Sequence, residues 1–109
     1  MNKLVEVNIS NSVTEIKKSA FSGCQKLSSI NIPESVTVIG QESFASNLVL
    51  DNVILPKTIT TIGLAAFANC TKLKKLTCLA ITPPELGQYV FDNVPSLVVY
   101  VPKESLTAY

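Results

Sequence analysis

The side chains that could perform acid–base or metal chemistry are few in this chain of 109 residues. There is no His, so a His-based catalytic triad and an ordinary zinc site are both excluded. Two carboxylates would suffice for glycoside hydrolysis, and the chain has eight Asp and Glu residues. They occupy different places in successive sequence repeats, and none falls at an apolar position where burial would raise its pKa. The sequence therefore predicts a protein that is not an enzyme, with no cofactor and no catalytic or metal-binding residues.

The three Cys residues are the other candidates for chemistry. Cys24 and Cys70 occupy equivalent positions two repeats apart, with Asn47 at the position between them. Two layers of a sheet separate such positions by roughly 10 Å, whereas a disulfide needs Cα atoms within about 7 Å of each other. Cys78 falls at an otherwise aliphatic position, where Cys is most often a small hydrophobic residue. We therefore expect three reduced, packed thiols, while Asn47 either bonds to the backbone of a turn or is exposed.

Charge and hydropathy exclude two classes of partner. All nine basic residues are Lys, none is Arg, and the formal net charge is +1. A nucleic-acid interface would need a basic face and usually Arg side chains, so the cluster of Lys72, Lys74 and Lys75 is interpreted as a solvated surface. No apolar run reaches the roughly 18 residues of a membrane span, and the first residues lead into a strand pattern rather than a signal peptide. Neither nucleic acid nor a membrane span is expected.

A repeat of about 23 residues runs through the chain and must position every side chain named above. Its most visible members are Phe21, Phe44, Phe67 and Phe91, which are separated by 23, 23 and 24 residues. Other residues recur in step with them: Leu4, Leu27, Leu50 and Leu73; Val7, Ile30, Val53 and Leu76; Ile9, Ile32, Leu55 and Cys78; Val13, Val36 and Ile59; Ile16, Ile39, Ile62 and Leu86; Gly40, Gly63 and Gly87. Such a period is typical of stacked units that cannot bury their apolar side chains alone. The whole chain is therefore predicted to be one repeat domain of about four turns.

Each repeat divides into two parts with different patterns. Residues 27–33 end in alternating apolar and polar side chains and then Pro33, which cannot donate to a sheet ladder, so this part is predicted to be a strand. Residues 36–44 carry aliphatic side chains three apart, then Gly40 and Phe44, which favours a short extended piece and one helical turn. Stacking equivalent strands in parallel, about 4.8 Å apart, gives a right-handed, β-rich solenoid with short helical or 3-10 turns opposite the strands.

The two ends of the array differ from its middle. The repeats fall at about residues 4–33, 34–56 and 57–79, and an atypical capping turn with an insertion at 80–84 occupies residues 80–109. At the other end, the strand pattern from Leu4 to Ser10 has nothing to cover its edge. Because exposed sheet edges invite pairing, we expect either self-association through this edge or a neighbouring segment of a longer array.

The strand face that points away from the core is the first candidate for binding. Its residues are mainly small and polar, and its apolar and aromatic members gather towards the C-terminal end, as binding hot spots would favour. Small polar residues are also what a solvated sheet face carries, so the pattern alone does not require a ligand. The candidate partner-binding residues are Asn31, Asn52, Ile54, Lys75, Thr77, Val98 and Tyr100, with Glu6, Asn8 and Ser29 on the same strip.

Three segments resemble the leucine-rich repeats of the BspA-like bacterial surface proteins: residues 27–33, 35–44 and 66–70. The Thr-Pro-Pro insertion at 82–84 and the strand at 99–102 resemble the C-terminal turn of the same proteins. The resemblance covers residues 4–102 and implies a leucine-rich-repeat solenoid. It also implies a secreted or surface-attached, adhesin-like module whose partner is a host or bacterial surface or matrix protein.

Two functions from different classes fit these observations. One is an extracellular recognition module that binds a protein through its sheet face or an edge. The other is a structural spacer within a longer array that has no ligand of its own. A carbohydrate-binding strip is a third hypothesis, although only Tyr100 is placed like the aromatic side chains that such sites stack on sugars.

Overall fold

The computed structural model describes residues 8–105, which form a parallel β-solenoid of about four turns, here called coils. Each complete coil contains two short strands joined by turns. The strands are β1 (Glu15–Ile16), β2 (Ser29–Asn31), β3 (Val38–Ile39), β4 (Asn52–Leu55), β5 (Thr61–Ile62), β6 (Lys75–Cys78), β7 (Glu85–Leu86) and β8 (Val98–Tyr100), and a 3-10 helix follows at Lys103–Ser105. Strands prevail over helix among the described residues, as predicted.

The strands form two parallel sheets that face the same apolar interior. One sheet has the order β1-β3-β5-β7 and the other has the order β2-β4-β6-β8. Every neighbouring pair lies in the register of one repeat, so Ile30 aligns with Val53 and Val53 with Leu76. The predicted solenoid of parallel strands is confirmed. The short extended piece expected in each repeat is also a strand, and these pieces form the sheet of β1, β3, β5 and β7.

The interior columns are those that the repeat predicts. Leu27, Leu50 and Leu73 are fully buried at equivalent positions of three successive coils. The aromatic column is equally regular, because the Phe44 ring stacks on Phe21 at a centroid distance of 5.3 Å and on Phe67 at 5.4 Å. Stacked rings at the coil spacing give the interior both apolar burial and favourable ring contacts.

The segment around each Phe differs from the helical turn expected for it. In the coil of Phe44, the Ser43 amide donates to the Gly40 carbonyl and the Ala45 amide to the Glu42 carbonyl, each at 3.2 Å. These bonds close consecutive β-turns instead of a helix. Glu42 adopts the left-handed conformation with a φ of 55°, as the third residue of a type II turn does.

The amides that lie between the turn bonds connect neighbouring coils. The Glu42 amide donates to the Leu64 carbonyl and the Phe44 amide to the Ala66 carbonyl, both at 2.9 Å. A helix bonds its amides within its own segment, so it could not supply this ladder. The left-handed residues that allow the alternation recur twice in each coil: Ser19, Gly23, Glu42, Ser46, Ala65, Asn69, Tyr89 and Asn93.

The coils approach one another most closely at the glycine column. A side-chain carbon on Gly40 would lie 2.5 Å from the Ile16 carbonyl oxygen, and one on Gly63 would lie 2.8 Å from the Gln41 nitrogen. Both of these are backbone atoms of the preceding coil, so they can move only if the two coils separate. Lys17 has the equivalent position in the first coil, and no coil precedes it within residues 8–105.

The interior columns are closed in the middle of the stack and open at its C-terminal end. Ile62 and Leu76 are each 2% exposed, whereas Leu86 and Val99, one coil later in the same columns, are 57% and 43% exposed. An apolar cavity of about 390 Å³ lies among these four side chains and their neighbours. The capping role of residues 80–109 therefore stays a prediction, as do the exact repeat boundaries.

The predicted N-terminal edge is described only in part. Leu4 and Val7 lie outside the described residues, whereas Asn8, Ile9 and Ser10 lie within them and belong to no strand. Self-association through this edge stays a prediction.

Candidate functional site

The residues predicted to bind a partner lie together on the sheet of β2, β4, β6 and β8. Parallel pairing aligns one row of side chains: Asn31, Ile54, Thr77 and Tyr100. It aligns a second row beside the first: Ser29, Asn52, Lys75 and Val98. We call these two rows the sheet face. All seven candidate residues belong to it, whereas Glu6 lies outside the described residues and Asn8 is exposed but belongs to no strand.

The alternation of buried and exposed residues in each strand creates the sheet face. In β4, Val53 and Leu55 are fully buried, while Asn52 and Ile54 between them remain partly exposed. Successive side chains of a strand point to opposite sides of its sheet, so the same residues that fill the core fix the positions of the two rows. The rows are consequently held by the most rigid part of the molecule.

The C-terminal end of the sheet face is apolar and aromatic. Val98 is 52% exposed and Tyr100 is 50% exposed, although both belong to a paired strand. Ile54 is partly exposed in the row of Tyr100. Exposed aliphatic and aromatic groups on a rigid sheet are typical of the centre of a protein-binding surface.

Lys75 gives this end of the sheet face its charge. Its Nζ atom lies 5.1 Å from the centroid of the Tyr100 ring, which is the geometry of a cation–π contact. Neither described row contains Asp or Glu. The described sheet face thus combines one exposed cation with an aromatic ring and two aliphatic side chains.

The column of Cys24, Asn47 and Cys70 is structural. The Asn47 side-chain amide donates to the Phe21 carbonyl at 2.9 Å and to the Phe44 carbonyl at 2.7 Å, so the backbone-bonding alternative for Asn47 is confirmed. The Cys70 thiol donates to the same Phe44 carbonyl at 3.1 Å. None of the three Cys residues is in a disulfide, and all three are buried, as expected. Asn47 and Cys70 thus satisfy the Phe21 and Phe44 carbonyls inside the stack.

Burial raises the pKa of the Cys70 thiol from 9.0 to about 11, although a hydrogen bond from the Asn47 backbone opposes the rise. Burial also raises the pKa of Cys24. A thiol is a nucleophile only as its thiolate. These two residues are therefore unsuited to catalysis or redox exchange near neutral pH.

The raised pKa predicts a loss of stability in alkali. The folded protein favours the neutral Cys70 thiol. The stability that this thiol contributes is therefore fully present below pH 9.0 and is lost as the pH rises through about 11. The free energy of unfolding should fall across this window by up to about 3 kcal/mol more in the wild type than in Cys70→Ala. Urea titrations of both proteins at several alkaline pH values measure the difference, and parallel curves would contradict the prediction.

A cleft beside the insertion was not anticipated from the sequence. It has a volume of about 520 Å³ and lies between the Lys57–Thr60 turn and the side chains of Pro102 and Glu104. Residues 79–83, which include most of the insertion, form part of its wall. The longer spacing between Phe67 and Phe91 was the available signal of an irregular coil, but it does not predict a cavity.

Metal-binding and membrane-spanning features were sought over the described part of the chain. Within residues 8–105, no group of three or more His, Cys, Asp or Glu side chains is arranged to hold a metal ion. Over the same residues, no helix has the length and apolar character needed to cross a bilayer. The sheet face is therefore the best-defined candidate site.

The fold and the sheet face together define a repeat protein whose coils present a rigid, exposed sheet. A sequence model described as a BspA type leucine-rich repeat region, in six copies, matches residues 1–108. The chain thus belongs to the BspA-type leucine-rich-repeat family. Proteins of this repeat class are typically non-catalytic, and their modules generally bind other proteins.

Two of the solved structures that are similar to the chain come from Bacteroides ovatus and Faecalibacterium prausnitzii. A leucine-rich repeat protein from Bacteroides ovatus ATCC 8483 is 31% identical with a TM-score of 0.70, over 93% of this chain and 32% of its own. A leucine rich cell surface protein from Faecalibacterium prausnitzii A2-165 is 24% identical with a TM-score of 0.59, over 92% and 33%. The second likeness shows the fold alone, and the chain spans about a third of both relatives. No curated protein sequence matches the chain.

Proposed function

We propose that this chain is a non-enzymatic protein-recognition module of a secreted or cell-surface, adhesin-like protein, and that the sheet face is its binding surface. Its repeat family supports the proposal, because leucine-rich-repeat modules generally bind proteins. The cell-surface description of the Faecalibacterium prausnitzii protein agrees with the proposed location. The partner is a host or bacterial surface or matrix protein.

The observation that carries the proposal is the exposure of Val98 and Tyr100 next to Lys75, with Ile54 partly exposed two strands away in the row of Tyr100. Val98 and Tyr100 form an apolar cluster that is about half exposed although its strand is paired, so packing within the stack does not use all of its surface. An aromatic ring contributes a large contact area with little loss of side-chain freedom on binding. The cluster can therefore supply affinity, while the polar residues of the two rows supply hydrogen bonds at its rim.

Chemistry at this surface is a weaker hypothesis than binding. The sheet face has neither a nucleophile with an adjacent base nor a pair of carboxylates in its described rows. Binding needs only complementary shape and polarity. A recognition role is thus the function that these residue types favour.

A spacer role is the alternative that the comparisons also allow. The chain spans about a third of each solved relative, which agrees with its being one segment of a longer array. A spacer would use its side chains for stacking and would present no surface on which affinity depends. The two functions consequently predict different results for substitutions on the sheet face.

The experiment compares wild type with the double variant Ile54→Asp/Tyr100→Ala for binding to a panel of purified extracellular-matrix and bacterial surface proteins. We expect wild type to bind at least one of them and the variant to lose about tenfold or more in affinity. The matched control is Leu48→Asp/Tyr89→Ala, which makes the same kinds of change at exposed residues outside the two rows. The control should bind as wild type does.

The possible results separate the hypotheses. Equal binding by wild type and the sheet-face variant would remove the sheet face as the site. Failure of wild type to bind any protein of the panel would favour the spacer. Wild-type binding on a glycan array, lost in Tyr100→Ala, would support the carbohydrate hypothesis instead.

A further inference from the structure

The sheet face has a charge asymmetry that points to the chemistry of its partner. Both described rows lack carboxylates, and their only ionised side chain is Lys75. The ion pair found in residues 8–105 joins Lys57 to Glu34 and involves neither row. Within the two described rows, the Lys75 ammonium therefore has no carboxylate beside it.

The position of the Lys75 ammonium is restricted by the ring beneath it. The cation–π distance of 5.1 Å places Nζ above Tyr100, one strand away and diagonal to it in the sheet. Holding the side chain in this way lowers the entropy that a flexible lysine would lose on binding. The ammonium is thus a prepared donor at the boundary between the polar and the apolar ends of the sheet face.

The neighbours of Lys75 specify what must lie beside an incoming anion. Val98 is paired with Lys75 across the strands, and Tyr100 belongs to the same strand as Val98. Side chains on one face of a strand are about 7 Å apart, and facing strands are about 4.8 Å apart. If an extended segment places an acidic side chain above Lys75, a side chain one or two residues away in that segment therefore lies above the apolar surface of Val98 and Tyr100.

We propose that the sheet face recognises an extended acidic segment of a partner protein, in which one carboxylate pairs with Lys75 and a nearby aliphatic or aromatic side chain packs on Val98 and Tyr100. This proposal rests on the proposed function and adds the chemistry of the partner. Displacing water around the pair by the apolar contact strengthens the charged hydrogen bond.

The geometry favours a carboxylate in a protein over the phosphates of a nucleic acid. A polyanion is bound by many cations spaced along its backbone, and the described rows offer one. A single cation bordered by aliphatic and aromatic groups is matched by a segment that carries both an acidic and an apolar residue. Such a segment also supplies backbone groups for Asn31 and Thr77.

The test selects ligands from a random-peptide library displayed on phage, using immobilised wild-type protein. We expect the enriched peptides to contain Asp or Glu next to, or one residue away from, an aromatic or aliphatic residue. A synthetic peptide of the enriched sequence should lose about tenfold in affinity when its acidic residue is changed to the amide. Lys75→Gln should lower the affinity for the parent peptide by a similar factor, and Lys75→Glu should lower it further.

The matched control is Lys72→Glu, which makes the same charge reversal at an exposed lysine of the same coil outside the two rows. It should reduce the affinity less than about twofold, because its effect is limited to screened, long-range charge. Unchanged thermal melting of all variants establishes that they fold. An effect of Lys72→Glu equal to that of Lys75→Glu would overturn the specific pairing.

Failure of this inference is distinguishable from failure of the proposed function. Peptides whose binding is lost in Ile54→Asp/Tyr100→Ala but unaffected in Lys75→Gln would retain the sheet face as the site and overturn the acidic partner. Enriched peptides without acidic residues would likewise overturn the acidic partner. A selection that enriches no peptide, repeated at low salt, would overturn the acidic segment, whereas binding of wild type to a protein of the panel would still support the proposed function.

Discussion

Gly63→Val is expected to destabilise the solenoid by more than about 3 kcal/mol. The Cβ atom of a valine at this position would lie 2.8 Å from the Gln41 nitrogen and 3.1 Å from the Ile39 carbonyl oxygen. Neither atom belongs to a side chain that could rotate away, so the coils must separate. Separation would lengthen the bond from the Gly63 amide to Ile39, now 2.7 Å, and its neighbours in both sheets. Urea unfolding followed by circular dichroism measures the loss.

Lys17→Val is the matched control for this prediction. It places the same side chain in the same column, but at the first described coil, where the described residues provide no preceding backbone to collide with. We expect its free energy of unfolding to change by less than about 0.5 kcal/mol. Equal unfolding midpoints for wild type and Gly63→Val would show that the glycine column does not set the spacing of the coils.

Phe44→Ala is expected to cost about 3 to 5 kcal/mol. The ring is fully buried, and its loss would leave a cavity between Phe21 and Phe67 that the flanking backbone ladders prevent from collapsing. A domain of this size has about 5 to 15 kcal/mol of stability in total. The variant should therefore unfold at much lower urea concentrations than wild type, or be largely unfolded without urea.

The comparison with Phe21→Ala tests whether the stack itself causes this loss. Phe21 is partly exposed and has one described ring neighbour instead of two. Its removal should cost about 1 to 2 kcal/mol, because less apolar area and only one ring contact are lost. Similar costs for the two variants would show that position within the stack has no effect.

The sequence predicts the interior of the fold well, because equivalent positions of successive repeats stack in the same interior column. Leu27, Leu50 and Leu73 could be assigned to one column from spacing alone, and the register of both sheets follows from the same period. The two rows of the sheet face follow in turn from the alternation of buried and exposed residues. Their role in binding stays a prediction.

The turns around the Phe residues could not be predicted because local propensity points the wrong way there. Ala65 and Glu42 are residue types that favour helices, yet both are left-handed in the fold. What selects this conformation is the ladder of amides to the next coil, which exists only after stacking. The contacts of Asn47 have the same origin, since one of its two acceptors, the Phe21 carbonyl, belongs to the neighbouring coil.

The pairing of Lys75 with Tyr100 also required the structure. The two residues are distant in sequence and diagonal in the sheet, so spacing alone does not bring the ammonium over the ring. The repeat placed both residues on one face, and the register determined which of their neighbours they touch.

The strict one-repeat register of both sheets has a consequence for how the chain folds. Each strand is hydrogen-bonded only to the strand one coil before it and the strand one coil after it. A coil can therefore order itself as soon as one adjacent coil is in place, and no contact between distant parts of the chain is needed to begin. The four-residue strands β4 and β6 pair along their whole length and provide the longest local ladder. We therefore expect folding to nucleate at β4 and β6 and to propagate from there to the adjacent coils.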